Sequence, residues 1–151
     1  MNRSGVNLTA PWGIALLRVV TGIIFLMHGQ QKFFEFGIGG VTGMMTGLGV
    51  PAPGLMAVIV SLVELVGGIA LILGAFTRIA AILVAIDVLV AFFLVHLPNG
   101  FFASNGGVEL VLLLATVGVT LALTGPGAMA VDSVLPVERR LQSSSLSPAS
   151  R

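Results

Sequence analysis

One apolar stretch, residues 16–34, constrains the fold of this chain most strongly, because it is long enough to cross a membrane and yet contains Arg18, His28 and Lys32. A charged side chain near the bilayer centre costs at least about 2.5–3.5 kcal/mol, so such groups usually face the interior of a helical bundle. Steps of three and four residues place the basic groups on one helical face, together with Thr21. We therefore expect other helices to place polar partners against this face.

The composition is typical of a membrane protein. Of the 151 residues, 56% are hydrophobic and 9% are charged, whereas a soluble domain carries about 25% charged residues. The net charge of +1 gives no indication of nucleic-acid binding. The sequence has no cysteine, which excludes thiolate, disulfide and iron–sulfur chemistry by the chain itself. These observations predict an integral membrane protein that is embedded in the lipid bilayer.

Four apolar segments predict an all-α membrane protein, a four-transmembrane-helix bundle with spans at residues 10–36, 54–76, 79–97 and 106–123. Residues 37–53, between the first two spans, are interrupted by glycine and proline but have apolar side chains at helical spacing. They predict a short interfacial helix. Only residues 77–78 link spans two and three, which predicts that these spans are antiparallel neighbours. Gly22 and Gly29 in span one, and Gly67 and Gly68 in span two, predict close packing against neighbouring helices.

The basic residues predict the orientation of the bundle. In the four-span arrangement Lys32 lies alone at one side of the membrane, and the opposite side has Arg3, Arg78, Arg139 and Arg140. Because basic loops stay in the cytoplasm, both termini are predicted to be cytoplasmic, in a cytoplasmic (inner) membrane. Residues 1–132 form the predicted transmembrane domain, and residues 133–151 form a cytoplasmic tail that is too polar to fold by itself.

Two polar layers are predicted inside this bundle. The intramembrane layer contains Arg18, Glu64 and Asp87, which a rise of about 1.5 Å per residue places near the middle of their spans. One interpretation is a structural ion pair in which the carboxylates hold the arginine. The alternative interpretation is an anion site or a proton relay.

The second layer lies at the outward end and contains four ionisable groups from three spans: His28, Lys32, His96 and Glu109. Histidine beside a carboxylate exchanges protons near neutral pH, and lysine holds an anionic oxygen, so these residues are a candidate ligand-binding site. His96 follows Asp87 by nine residues, so both face the bundle only if span three is irregular near Pro98. Two histidines on different spans also leave bis-histidine haem ligation open.

The chain resembles the DoxX family of small bacterial membrane proteins. The likeness is carried by LRVVTGIIFLMHGQQK at residues 17–32, VELVGGIALILGAFTRIA at 63–80, and residues 91–132 with AFFLVHLPNGFF and GGVELVLLLATVGVTLALTGPGAMAVD. The resemblance implies a four-helix membrane bundle. It places family-motif positions at Arg18, Gly22, His28, Lys32, Glu64, Gly67, Gly68, Gly74, Arg78, His96, Glu109, Gly125, Gly127 and Asp132.

The resemblance also implies a link to redox chemistry. One branch of the family is associated with a thiosulfate:quinone oxidoreductase, and another with a mycobacterial complex that joins superoxide dismutase and a sulfurtransferase at the membrane. Many relatives have a basic or aromatic residue, then serine and leucine, before the aspartate, where this chain has Met129, Ala130 and Val131. This departure bears on the turn that ends the bundle.

Three functional hypotheses follow. The preferred one is a membrane subunit of a quinone-associated oxidoreductase system, with an outward-facing polar site for a small ligand or a quinone head group. No cofactor-binding motif is recognisable, so quinone is the one cofactor proposed, no metal is expected, and catalytic residues are left unassigned. The alternatives are a small-molecule or proton-coupled transporter, which needs a homodimer, and a scaffold that recruits soluble redox enzymes through its tail and Arg78.

Overall fold

The computed structural model describes residues 9–134, and every regular element in this range is helical. There are five α-helices: α1 (Ala10–Gln30), α2 (Gly37–Gly47), α3 (Pro53–Leu73), α4 (Thr77–Ala91) and α5 (Glu109–Thr124). The π-helices Gln31–Glu35 and Phe92–His96 continue α1 and α4, and short 3₁₀-helices occupy Leu97–Asn99, Ala103–Asn105 and Val131–Val134. The all-α prediction is therefore confirmed. Most of the predicted tail, residues 135–151, lies outside the described residues, as do Arg3, Arg139 and Arg140.

Three helices are long and apolar enough to cross a membrane: Ala10–Glu35, Pro53–Leu73 and Thr77–Asn99. They correspond to the first three predicted spans. The helix at the fourth predicted span, Glu109–Thr124, is apolar but has only 16 residues. The count of four crossings therefore stays a prediction. A helix does form between the first two spans, at α2, and its position at the membrane surface likewise stays a prediction.

Glycine determines how closely α1 and α3 pack. α1 packs mainly on α3 and α4 mainly on α5, with further contacts between α3 and α4. A Cβ atom on Gly22 would lie 2.8 Å from the carbonyl oxygen of Gly68, and one on Gly29 would overlap the backbone of Leu65. Only glycine lets the two backbones approach this closely, as in other membrane helix pairs. The predicted close packing at Gly22, Gly29 and Gly68 is confirmed.

The apolar core joins the two helix pairs. Phe25 of α1, Leu71 of α3, Val84 of α4 and Leu121 of α5 are all buried in one cluster. The buried side chains of α1 recur at steps of three and four residues, at Ala15, Arg18, Thr21, Gly22, Phe25 and Gly29. The interior face of α1 thus continues toward its C-terminal end, where a pocket opens.

Candidate functional site

A pocket of about 290 Å³ lies at the C-terminal end of α1, and we call it the Lys32 pocket. Its wall is almost entirely apolar and is formed by side chains of α2, α3 and α4, including Val41, Met44, Met45, Met56, Val60, Val90 and Leu94. The polar side chains in its wall are Lys32, Asp87 and His96. An apolar cavity with a few convergent polar groups is the usual form of a small-molecule site.

Lys32 forms an ion pair with Glu64 beside this pocket. Its Nζ atom donates to Oε2 at 2.6 Å and to Oε1 at 2.8 Å. The side chains are 19% and 8% exposed, so the pair is largely removed from solvent. Glu64 was expected to contact Arg18 in the intramembrane layer, whereas the structure joins it to a residue of the predicted outward layer. The two predicted layers therefore share one ion pair.

Asp87 and His96 line the same pocket because the helix that bears them changes its geometry. Nine residues of a regular α-helix would place these side chains on opposite faces. The π-helix Phe92–His96 has a wider turn, so each residue advances less around the helix axis. The irregularity near Pro98 that the sequence analysis named as the condition for both residues to face the bundle is present in this π-helix, and it brings His96 to the pocket. Lys32 also lies in a π-helix, Gln31–Glu35, and π-turns are frequent at functional sites.

Asp87 has no hydrogen-bond or ion-pair partner among residues 9–134. It lies within electrostatic range of Glu64 and Lys32, so one ammonium group faces two carboxyl groups at this end of the bundle. Its side chain is half-buried and forms part of the pocket wall. The cluster of Lys32, Glu64 and Asp87 was not predicted as a unit. The depth of each residue in the membrane, estimated from its distance to the helix end, placed Lys32 in a different layer from the two carboxylates.

His28 and Glu109 are placed elsewhere. The side chain of His28 is exposed, and its Nδ1 atom donates to the carbonyl oxygen of Ile24 on the same helix. The buried position on that turn belongs to Gly29, so the expectation that His28 faces the bundle interior is wrong. Glu109 is exposed and accepts a hydrogen bond from the backbone N–H of Ala103 at 2.9 Å. Neither residue lines the Lys32 pocket, and a binding role for either stays a prediction.

Arg18 lies outside this cluster. It is 1% exposed, and its Nη2 atom donates to the backbone oxygens of Met129 at 3.0 Å and Ala128 at 3.3 Å. The predicted ion pair of Arg18 with Glu64 and Asp87 is therefore wrong. Sequence reasoning considered only side chains as partners, but the turn after α5 folds back over the start of α1, and its carbonyl groups hold the guanidinium.

Asp132 stabilises the same end of the bundle through the backbone. Its Oδ1 and Oδ2 atoms accept hydrogen bonds from the N–H groups of Phe76 at 2.6 Å and Thr77 at 2.8 Å. These donors belong to the first turn of α4, so the carboxylate caps that helix from a distant part of the chain. Arg78 in turn donates from Nη1 to the carbonyl oxygens of Ala122 and Leu123 at the end of α5. These family-motif positions have a structural role.

Most of the pocket wall is formed by methionine and valine side chains, and the sequence analysis did not assign these residues to a site. The available signal was the helical spacing of Val41, Met44, Met45 and Leu48, all of which line the pocket. No group of three or more histidine, aspartate or glutamate residues that could hold a metal ion occurs within the part of the chain that the structure describes. His28 and His96 do not share the pocket, so the structure does not support haem ligation by this pair.

The chain is similar to one protein family and to several bacterial proteins of comparable length. The DoxX family model matches residues 13–97, a segment that contains Lys32, Glu64, Asp87 and His96. An uncharacterized protein of Haemophilus influenzae is 37% identical over 126 residues, which are 82% of this chain and 90% of that protein. The Bacillus subtilis protein named "Putative oxidoreductase CatD" is 38% identical over 127 residues, 84% of this chain and 90% of that protein.

The inner membrane protein YqjF of Escherichia coli is 34% identical over 128 residues, which are 82% of this chain and 92% of that protein. No solved structure matches the chain. These similarities extend well beyond the segment matched by the family model.

Proposed function

This chain belongs to the DoxX family, and we propose that it is the integral membrane subunit of a quinone-associated redox system. The Lys32 pocket is the proposed site for the quinone head group. The observation that carries this proposal is an apolar pocket of about 290 Å³ whose few polar wall groups, Lys32, Asp87 and His96, are ionisable. The name of the Bacillus subtilis relative supports a redox role.

The residues of the pocket suit such a ligand by their chemistry. An ammonium, a carboxyl group and an imidazole hydrogen-bond to ring oxygens and exchange protons with them. Apolar side chains of α2 and α3 surround these groups and exclude water from a flat ring. A bound quinone would supply the electron-transfer chemistry, and this chain would hold and orient the ring. A soluble redox enzyme is the proposed electron-transfer partner, and a homodimer stays a proposal.

The proposed topology has four crossings with both termini in the cytoplasm, and the name of the Escherichia coli relative YqjF supports an inner-membrane location. α5 rises about 24 Å, less than the hydrocarbon core of about 30 Å, so it would cross where the bilayer is locally thin. Reporter fusions after Arg140 and within residues 37–53 test this topology. They should report opposite sides of the membrane, and fusions on the same side would contradict it.

The two alternative functions lack a specific supporting observation. A transporter relay of Arg18, Glu64 and Asp87 would need these groups in one cluster, and Arg18 lies apart from the other two. A scaffold that docks partners through Arg78 would need its guanidinium at the surface, whereas Arg78 binds carbonyl groups of α5. Of the three functions, quinone binding in the Lys32 pocket is therefore the one that the geometry favours.

The test is binding of duroquinone and its reduced form to the purified protein in nanodiscs, measured by calorimetry with empty nanodiscs subtracted. Leu94→Trp fills the pocket, and Leu110→Trp is the matched control, because these leucines are 41% and 49% exposed and only Leu94 lines the pocket. Leu94→Trp should weaken binding by at least about tenfold, and Leu110→Trp should leave it unchanged. If the wild-type protein binds neither form, alone or with its native partner, the proposal is wrong.

A further inference from the structure

The polar groups of the Lys32 pocket differ in what they leave free for a ligand. Lys32 is the one side chain there that can only donate hydrogen bonds. Two of its three Nζ hydrogens are directed at the carboxylate of Glu64, at 2.6 and 2.8 Å. Glu64 in turn accepts from Lys32 through both oxygens and does not line the pocket. This pair therefore offers a ligand one remaining N–H group.

His96 offers a ligand an acceptor. Its Nδ1 atom lies 2.7 Å from the carbonyl oxygen of Gly106. A carbonyl oxygen only accepts hydrogen bonds, so Nδ1 must carry the hydrogen in this contact. In a neutral imidazole, Nε2 then has a lone pair and accepts. The loop after α4 thus fixes the tautomer of a histidine that lines the pocket.

Asp87 offers the pocket a second acceptor. Its carboxyl group has no hydrogen-bond or ion-pair partner within residues 9–134, although it lies in the wall of the apolar pocket. Ionised, a carboxylate only accepts hydrogen bonds, through two oxygens. A carboxylate in apolar surroundings without donors is costly, so a donor supplied by the ligand would stabilise it.

We infer that the Lys32 pocket recognises a ligand through hydroxyl groups that the ligand donates to Asp87 and His96, so it prefers the hydroquinone form over the quinone form. This inference rests on the proposed function and specifies which redox form the site binds. A quinone has only carbonyl acceptors, which could use the single free N–H of Lys32 but would face the lone pairs of Asp87 and His96. A hydroquinone has two hydroxyl groups, and each donates one hydrogen bond and also accepts, so together they can donate to Asp87 and His96 and accept from Lys32.

The experiment compares duroquinone, durohydroquinone and the dimethyl ether of durohydroquinone by anaerobic calorimetry in nanodiscs. The three probes share one ring and differ in hydrogen-bonding groups. The variants are Asp87→Asn, which replaces an acceptor oxygen by a donor amide, and Glu35→Gln as the matched control. Glu35 is an exposed carboxylate of the adjacent π-helix that does not line the pocket.

In the wild-type protein and in Glu35→Gln, durohydroquinone should bind at least about tenfold more tightly than duroquinone or the ether, as expected for one hydrogen bond to a charged group. In Asp87→Asn the two redox forms should bind within about threefold of each other, because the amide also donates to a carbonyl. Circular dichroism and a single gel-filtration peak would show that each variant is folded.

The outcomes separate this inference from the proposed function. Equal or tighter binding of duroquinone, or equal binding of the ether, would overturn the inference and leave the quinone site intact. An unchanged preference for durohydroquinone in Asp87→Asn would also overturn the inference, because a group other than Asp87 would then accept the hydrogen bond of the hydroxyl. Tighter binding of hexylamine than of durohydroquinone would show that the pocket selects a cation. Failure of every quinone probe to bind would overturn the proposed function and the inference together.

Discussion

The N-terminal and C-terminal halves of the first span, Ala10–Glu35, each contain a largely buried basic side chain, but these side chains are held in opposite ways. In the N-terminal half Arg18 is 1% exposed and donates to backbone oxygens of the turn after α5. In the C-terminal half Lys32 is 19% exposed and pairs with the carboxylate of Glu64 beside a pocket. The Arg18 end of the bundle is closed by the backbone, whereas the Lys32 end leaves ionisable groups facing a cavity. The buried charge of Arg18 therefore has a structural role, whereas the buried charge of Lys32 belongs to a candidate binding site.

Two glycines show the same contrast. Gly74, after α3, has φ +68°, and a Cβ atom there would overlap Nη1 of Arg18. Gly37, the first residue of α2, has φ +65° and no atom within 4 Å of the place where a Cβ atom would lie. Both backbones are left-handed, but only Gly74 is enclosed. The Arg18 end is tightly packed, whereas α2, which covers the Lys32 pocket, has one buried residue, Val41.

The largest expected effect comes from substituting these two glycines. Gly74→Ala should lower the free energy of unfolding by about 3 kcal/mol, because it adds backbone strain and displaces the buried guanidinium of Arg18. Gly37→Ala should cost only about 1 kcal/mol, the strain of the left-handed backbone. Denaturant titration in detergent measures both. Equal losses would mean that the Arg18 end is no more tightly packed than the Lys32 end.

The next effect concerns the ion pair at the open end. Lys32→Met should destabilise the protein by about 2–3 kcal/mol, because it leaves the carboxylate of Glu64 buried without its partner. The double variant Lys32→Met/Glu64→Gln should recover more than half of this loss, since the unpaired charge is removed as well. The same titration applied to both single variants and the double variant gives the coupling. Additive losses would contradict the pairing.

A smaller effect distinguishes the two aspartates. Asp132→Asn should cost about 1–2 kcal/mol, because one of the backbone N–H groups of Phe76 and Thr77 loses its acceptor at the start of α4. Asp87→Asn should not lower stability, because Asp87 has no partner among the described residues to lose and an unpaired carboxylate in apolar surroundings is itself unfavourable. Thermal unfolding of the two variants side by side tests this pair. A reversed order would show that Asp87 has the structural role.

The smallest expected effect separates the two histidines. His96→Ala should weaken durohydroquinone binding by about fivefold, the contribution of one neutral hydrogen bond. His28→Ala should leave the affinity within about twofold, because its side chain is exposed and lies outside the pocket wall. Calorimetry in nanodiscs measures both affinities, and thermal unfolding checks that each variant is intact. A loss in His28→Ala with none in His96→Ala would refute the assignment of the pocket.

Much of the fold could be read from the sequence because membrane helices have a strong local signal. The apolar segments predicted the helices, and the glycines at positions 22, 29 and 68 predicted close helix packing, which the structure places between α1 and α3. The spacing of Asp87 and His96 also indicated where the third span had to be irregular, because two side chains nine residues apart lie on opposite faces of a regular helix. The structure has the π-helix Phe92–His96 at this place. Each of these predictions depends on one segment or on one pair of facing segments.

The partners of the buried charges were decided only by the tertiary structure. Arg18 was assigned to carboxylates because they share its depth, but depth does not fix which way each helix is rotated. The Nη2 atom of Arg18 instead donates to carbonyl groups more than a hundred residues away, and a sequence does not show which backbone carbonyls will lie near a side chain. Among the described residues, Nε and Nη1 of Arg18 have no hydrogen-bond partner. Lys32 follows the buried Gly29 by three residues, so it lies on the face of the first span that packs on α3, and the packing of α3 brings Glu64 to it.

The sequence by itself therefore determined that this protein is a helical membrane protein, which residues carry charge inside it, and where its helices approach closely. These properties follow from hydrophobicity, spacing and side-chain size, all of which are local. The tertiary structure alone decided that Lys32, Asp87 and His96 share a pocket while Arg18 and His28 do not. The reason is that hydrogen-bond partners depend on helix rotation and on backbone groups, and both are set by the packing of the whole bundle.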